Sequence, residues 1–208
     1  MEQHRRTIVI FDFGGVLIDW NPRYLYRKLF GGDVVAMEHF LATVCTPEWN
    51  RRQDAGRPVA EAVRELTEGH PEFAELIDAY YTRFDEMMAG PIAPTVAILA
   101  ELRERGVPLY GLTNFSAETY RLAFARFDFL RWLRGTIVSG EVGVIKPDPA
   151  IYRILVERFA IDPQRAVFID DVRENAEAAG SAGVQGIHYT GAAALRAELV
   201  TLGLLPAA

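Results

Sequence analysis

A single cysteine, Cys45, occurs in the 208 residues, so no disulfide can close within the chain, and a reduced cytoplasm is the expected location. Positive charge is also in short supply. The 28 acidic residues outnumber the 22 basic ones, giving a formal net charge of −6. With no basic stripe to neutralise phosphates, a nucleic-acid partner is not expected. The opening stretch MEQHRRTIVIF has no apolar run long enough for a signal peptide or a membrane span. No fixed-period repeat or low-complexity block is found, and the Ala-rich TGAAALRAEL reads as plain helix. What is present is a chain that is 50 % hydrophobic, enough to bury a core in one domain or in a domain with an insertion. Oligomeric state is not legible from the sequence.

Short apolar runs recur at 7–11, 107–112, 136–138, 166–169 and 186–189, and the later ones are separated by segments with helical spacing. This alternation predicts an α/β fold, a Rossmann-like parallel sheet built from βαβ units. After Pro149, Ile151, Ile154, Leu155 and Phe159 share one helical face. After Pro94, Ile98, Leu99 and Leu102 do the same before Gly106 stops the helix. Roughly ninety residues separate the first two strands, far more than a crossover helix needs. Within them PRYLYRKLF, DVVAMEHFLATV, PVAEAVRELTEG and PEFAELIDAYYTRFDEMM show helical apolar spacing between Gly and Pro breaks. The predicted organisation is an α/β core at 1–18 and 91–208 with a helical cap at 19–90, seated over the carboxyl end of the first strand.

In an open parallel sheet, ligands bind beyond the carboxyl ends of the strands. The residues found there are Asp12 after the first run, Thr113 and Asn114 after the second, Ser139 and then Lys146 after the third, and Asp170 and Asp171 after the fourth. Taken singly, each also suits a turn, a helix cap or a solvated loop. Together they supply a carboxylate nucleophile, hydroxyl and amide donors, a cation and a carboxylate pair. The segments FDFGGVL, GLTN, VIKPDPAIY and VFIDDVREN resemble, in this order, the four motifs of the haloacid dehalogenase superfamily of aspartate-nucleophile hydrolases. The insertion falls where that family carries a helical cap.

The resemblance implies a phosphate-ester hydrolase in which Asp12 attacks phosphorus, forms a phosphoaspartate and is freed by water. A carboxylate attacking an anionic phosphate suffers repulsion that a divalent cation relieves, and oxygen ligands suit Mg²⁺. Asp12 and Asp171 can supply such ligands. The Gly14 backbone carbonyl is the third implied ligand, with Asp170 and Asn175 orienting the others. Lys146 would neutralise phosphoryl oxygens and hold Asp12 charged, Thr113 and Asn114 would donate hydrogen bonds, and Gly15 would let the backbone approach the phosphate. The stretch DFGGVLIDWN resembles the sugar-phosphate phosphatases of the family that carry Gly at the place of Gly14, which implies a small phosphorylated metabolite, a sugar phosphate, as the partner. In the cap, TPEWNRRQDAGRP combines an aromatic, three arginines and a Gly-Arg-Pro break. Trp49 could stack on the substrate or pack inside the cap, and Arg51 or Arg52 could meet an anionic group or face solvent. His39, His70 and His188 have no metal-ligand spacing.

The sequence departs from the pattern at Gly14. Phosphatases of the superfamily usually carry an Asp there, which protonates the leaving oxygen and then activates water. The absence leaves three readings. A phosphatase could rely on another acid, for which Asp19 is a candidate, although Asp19 also suits a cap for the following helix. A 2-haloacid dehalogenase needs neither that acid nor a metal, but Asp170 and Asp171 would then be two carboxylates crowding Asp12 without a cation. A non-catalytic relative would bind a phosphorylated ligand only. The expectation is that no group replaces the acid, so that aryl and acyl phosphates react faster than alkyl phosphates by the ~10²–10⁴-fold that general acid catalysis supplies. Asp19→Asn should then change little, which a comparison of the two ester types would check.

Overall fold

The computed structural model describes residues 7–207. Residues 1–6 and 208 of the expected core, and most of the N-terminal stretch read as lacking a signal peptide, lie outside the described residues. The first strand, β1 (Ile8–Phe11), leads through a turn to β2 (Ile18–Trp20). Five helices follow: α1 (Arg23–Leu29), α2 (Val34–Thr43), α3 (Pro47–Asp54), α4 (Val59–Gly69) and α5 (Ala74–Thr82). Next come β3 (Met88–Pro91), α6 (Ala93–Glu104), β4 (Leu109–Thr113), α7 (Ala117–Arg126) and β5 (Thr136–Val138). The chain finishes with α8 (Ser139–Val142), α9 (Pro149–Arg158), β6 (Ala166–Asp170), α10 (Arg173–Ala178), β7 (Gln185–His188) and α11 (Ala192–Thr201).

Five strands form one sheet in the order β5-β4-β1-β6-β7, and every neighbouring pair is parallel. The α/β class expected from the alternation is the one found. Its strands are continuous apolar runs because helices cover both faces. Val9 and Phe11 pack into one cluster and Ile10 into the other, following the two-residue period of a strand. On the second face Ile151 and Leu155 of α9 are buried against Ile10, Leu112 and Phe168, with Ile154 and Phe159 partly buried beside them. On the first face α6 buries Ile98, Leu99 and Leu102, the stripe predicted for it. The GEVGV stretch, expected as loop, forms the one-turn helix α8 before Gly143 takes a left-handed φ of 72°.

Two elements between the first and second sheet strands were not foreseen. TPEWNRRQDAGRP is itself largely helical. Thr46 Oγ1 accepts from the Trp49 N–H at 3.0 Å and Pro47 opens α3, both ordinary start signals of a helix. In addition, β2 and β3 pair as a short antiparallel ribbon, with Asp19 opposite Gly90, at the two ends of the helical insertion. Inside the insertion Tyr26, Phe40, Trp49 and Tyr80 form an aromatic core, with the Trp49 and Tyr80 rings edge to face at 5.2 Å. Among the described residues, no helix is long and apolar enough to cross a membrane.

Close approach fixes one edge of the sheet. A Cβ added at Gly186 in β7 would lie 1.9 Å from the Ala176 carbonyl oxygen of α10, a backbone atom that cannot swing aside. Overpacking of this kind costs about 1–3 kcal/mol, so Gly186→Ala should lower Tm by about 2–12 °C for a chain of this size. Calorimetry would check the shift.

Candidate active site

Because β1 lies at the centre of the sheet, the carboxyl ends of β1, β4 and β6 converge. Asp12 follows β1, Thr113 ends β4, and Asp170 ends β6 with Asp171 next. Lys146, from the loop between α8 and α9, reaches into this group and is 1 % exposed. Its Nζ lies 2.8 Å from Asp12 Oδ1 and 2.7 Å from Asp170 Oδ2, and donates to the Leu112 carbonyl at 3.1 Å. An ammonium has three protons to donate, and each has an acceptor here. Asp170 also accepts from the Val172 N–H at 2.8 Å and from Asn175 Nδ2 at 3.1 Å. It is fully buried and held on several sides.

Burial raises Asp12 above the usual carboxylate range; Lys146 opposes this, and the charges of Asp170 and Asp171 add to it. Asp171 is raised for the same first reason, burial, with Asp170 contributing. For Lys146, burial acts to lower its pKa, but Asp12 and Asp170 more than offset that and raise it. Oxygens of Asp12, Asp170 and Asp171 come within 4.8 Å of one another. The two side-chain contacts of Asp12, from Lys146 and from the Phe13 N–H at 2.7 Å, both fall on Oδ1. Hard carboxylate oxygens crowded in this way fit a divalent cation such as Mg²⁺. Asp12 and Asp171 fit that role better than Asp170, whose oxygens already serve Lys146, Val172 and Asn175.

A cavity of about 370 Å³ opens above these residues. From the core it is lined by Asp12, Gly14, Gly15, Thr113, Asn114, Lys146 and Asp171, and from the insertion by Trp20, Asn50, Asp54 and Phe84. Thr113 Oγ1 is buried without a hydrogen-bond partner, so its hydroxyl remains for a ligand. Gly15 has a more specific role than expected. With φ at 73°, a Cβ there would sit 2.2 Å from Asp171 Oδ2, so this glycine makes room for a carboxylate rather than merely for a phosphate. Gly14 differs, since a Cβ on it would meet nothing within 4 Å.

Several expected contacts differ. The Asn114 amide donates to the Lys146 carbonyl at 3.1 Å and its Oδ1 accepts from the Lys146 N–H at 2.9 Å. It therefore clamps the lysine loop with one amide proton, and it also lines the cavity. Ser139 Oγ accepts from the Phe115 N–H at 3.1 Å and ties α8 to the end of β4. Trp49 is in the aromatic core of the insertion, and Arg52 is an exposed residue beside Glu48 at 3.9 Å; neither lines the cavity. Asp19 accepts from the Tyr24 hydroxyl at 2.9 Å and also lies outside the lining.

Sequence reasoning missed Asn50 and Asp54. Once α3 is taken as a helix, its spacing reveals them. Trp49 and Gln53 form the buried face, Arg51 and Arg52 the exposed one, and Asn50 and Asp54, four apart, form the half-buried face between. Asn50 Nδ2 donates to Asp54 Oδ2 at 3.0 Å. Burial pushes Asp54 up to about 7, against a backbone hydrogen bond from Ser116 and the charge of Arg51.

Buried acids flanking a buried lysine, with a hydroxyl left open at the head of a parallel sheet, form the site of a hydrolase. The chain belongs to the haloacid dehalogenase-like hydrolases, whose family model matches residues 7–183. It is 33 % identical over 173 residues to the phosphoserine phosphatase of Thermus thermophilus, covering 80 % of this chain and 68 % of that one. It is 26 % identical over 188 residues to the phosphorylated carbohydrates phosphatase of Thermotoga maritima, covering 86 % and 83 %. A magnesium complex of a HAD family enzyme from Bacteroides thetaiotaomicron has the same fold, with a TM-score of 0.69 at 20 % identity over 89 % of this chain and 93 % of that one.

The raised carboxyl of Asp12 predicts a pH effect in the absence of metal. Above the ordinary carboxylate range the folded chain holds a proton at Asp12 that the unfolded chain has lost, so folding stability falls as pH rises. Asp12→Asn cannot lose that proton. In EDTA, the Tm of the variant relative to wild type should rise between pH 4 and pH 8, on top of the constant offset left by the lost Lys146 partner. Parallel curves in thermal melts would contradict this.

Proposed function

We propose that this hydrolase is a Mg²⁺-dependent phosphatase acting on a small phosphorylated metabolite, a sugar phosphate being the favoured class. The observation that carries the reading is the unpartnered, buried hydroxyl of Thr113 beside an Asp12 whose Oδ1 is fixed by Lys146. An anion with several acceptor oxygens would satisfy that hydroxyl, and what weighs against a metal-free dehalogenase is the crowding of Asp12, Asp170 and Asp171, which would repel one another without a cation. The phosphatase names of the relatives agree with this reading.

In this account Asp12, Asp171 and the Gly14 carbonyl hold the cation, which when bound relieves repulsion between the Asp12 carboxylate and the phosphate. Asp12 attacks phosphorus and carries the phosphoryl group until water displaces it. Lys146 keeps Asp12 oriented and offsets charge that builds on the phosphoryl oxygens, while Thr113 donates to one of them. Asp170, bonded to Lys146 and Asn175, fixes the lysine. Asn114 holds the same lysine through its backbone. The segment 19–90 acts as a cap that encloses the leaving group with Trp20, Phe84 and Asn50. Trp49 and Arg52 carry no substrate role in it.

The test is a panel of phosphate esters and 2-haloacids assayed with Mg²⁺ and with EDTA. Phosphate release from esters that EDTA abolishes and added Mg²⁺ restores is expected, together with loss of turnover in Asp12→Asn. Halide release that survives EDTA would overturn the proposal in favour of dehalogenation.

A further inference from the structure

We propose that Asp54, which reaches the cavity from α3 of the cap, donates the proton to the leaving oxygen that Gly14 cannot. The inference rests on the phosphatase reading above. Gly14 leaves open space where a side chain could stand, since a Cβ there meets nothing within 4 Å. Among the residues lining the cavity, the carboxyl groups are Asp12, Asp171 and Asp54. The first is the nucleophile, the second is committed with it to the cation, and Asp170 below is locked to Lys146 at 2.7 Å. Asp19, the replacement suggested by sequence, is bonded to Tyr24 and lies outside the cavity. Asp54 is the acid that remains.

Its surroundings suit the task. Asn50 Nδ2 donates to Asp54 Oδ2 at 3.0 Å, and Asn50 Oδ1 in turn accepts from the Tyr81 hydroxyl at 2.9 Å. The carboxyl is thereby tied to α5 as well as to its own helix. Beyond α3, Gly56 turns the chain at a φ of 98°, where a Cβ would stand 3.3 Å from the Gly140 carbonyl oxygen, so the end of the helix is seated on the core. The charged and titratable groups facing Asp54 are Arg51 on its own helix and Tyr80 and Tyr81 on α5, with Asp12, Lys146 and Asp171 across the cavity. Burial holds its carboxyl near neutrality, where a general acid is most effective.

The proton balance closes. As Asp12 Oδ bonds to phosphorus, the bond from phosphorus to the leaving oxygen breaks and its electron pair stays on that oxygen. The oxygen takes the proton of Asp54 and departs as the alcohol, leaving Asp54 a carboxylate. In the second step water attacks phosphorus, the phosphorus–Asp12 bond breaks, and Asp54 accepts a proton from the water. With this donor in place the wild type hydrolyses alkyl and aryl esters with comparable kcat/KM, in contrast to the steep dependence expected from Gly14 alone.

The test compares wild type and Asp54→Asn, full-length and with Mg²⁺, on glycerol phosphate and on 4-nitrophenyl phosphate, whose phenolate leaves without a proton. The variant should lose ~10²–10⁴-fold in kcat/KM on the alkyl ester and less than ~10-fold on the aryl ester. It should also show a burst of nitrophenolate, because loss of the base slows release from Asp12. Adding Gly14→Asp to Asp54→Asn should restore alkyl turnover, which a folding defect would not allow. Equal losses on both esters without rescue would assign Asp54 to holding the cap and overturn the proposal. An unaffected alkyl rate would overturn it too. A wild type that hydrolyses neither ester would remove the phosphatase reading and this assignment together, whereas a wild type active on both with no selective loss in the variant would remove the assignment alone.

Discussion

One buried ammonium organises this molecule's chemistry. Lys146 lies between Asp12 and Asp170 with a contact to each under 3 Å, away from water, at the point where three parallel strands end. Two carboxylates so close would repel strongly without it, and a lysine so buried would lose its charge without them. Removing one partner from a buried group of this kind costs about 3–5 kcal/mol because the others are left uncompensated. Much of the surrounding structure serves the lysine. Asn114 grips its backbone in both directions, Asn175 and Val172 fix Asp170, and the Leu112 carbonyl takes the third proton.

The fold makes that arrangement reachable. A central β1, flanked by β4 and β6 in parallel, brings Asp12, Thr113 and Asp170 to one edge although they are far apart in sequence. The insertion then supplies the wall that the sheet lacks. Its aromatic core is self-contained around Tyr26 and Tyr80, while Trp20, Phe84 and the Asn50–Asp54 face of α3 turn toward the cavity. A substrate would thus meet charge and hydroxyl at the core and a mixed apolar and polar surface at the cap. Under the proposed function, the core would take the constant phosphoryl group and the insertion the variable leaving group.

The parts of this that sequence reveals are those set by local pattern. Fully buried parallel strands are continuous apolar runs, so their ends, and with them Asp12, Thr113, Asp170 and Asp171, can be located by inspection. Lys146 becomes visible only in combination, since a lysine before proline in a loop carries no signal of its own. Asn114 was placed at the right strand end, but its clamp on Lys146 was not visible, because that partner lies 32 positions away. The cap was harder. Trp49 is the conspicuous residue of its segment, yet its size takes it into the aromatic core. The quieter Asn50 and Asp54 face the cavity. The β2–β3 ribbon, of three and four residues, is too short for a periodic signal. Which face of α3 meets the cavity depends on how the helix is seated on α8, a long-range contact that no local window contains.

The central claim is that Asp12 itself carries the phosphoryl group. An acyl phosphate is reduced by borohydride to an alcohol, whereas a free carboxylate is not, so quenching the enzyme with borohydride during turnover of a phosphate ester and weighing the peptide that contains Asp12 reads the claim directly. A reduced side chain at position 12 is expected with ester and Mg²⁺ present, and none when either is withheld. Phosphate release with position 12 unmodified, or reduction at another carboxylate, would contradict it.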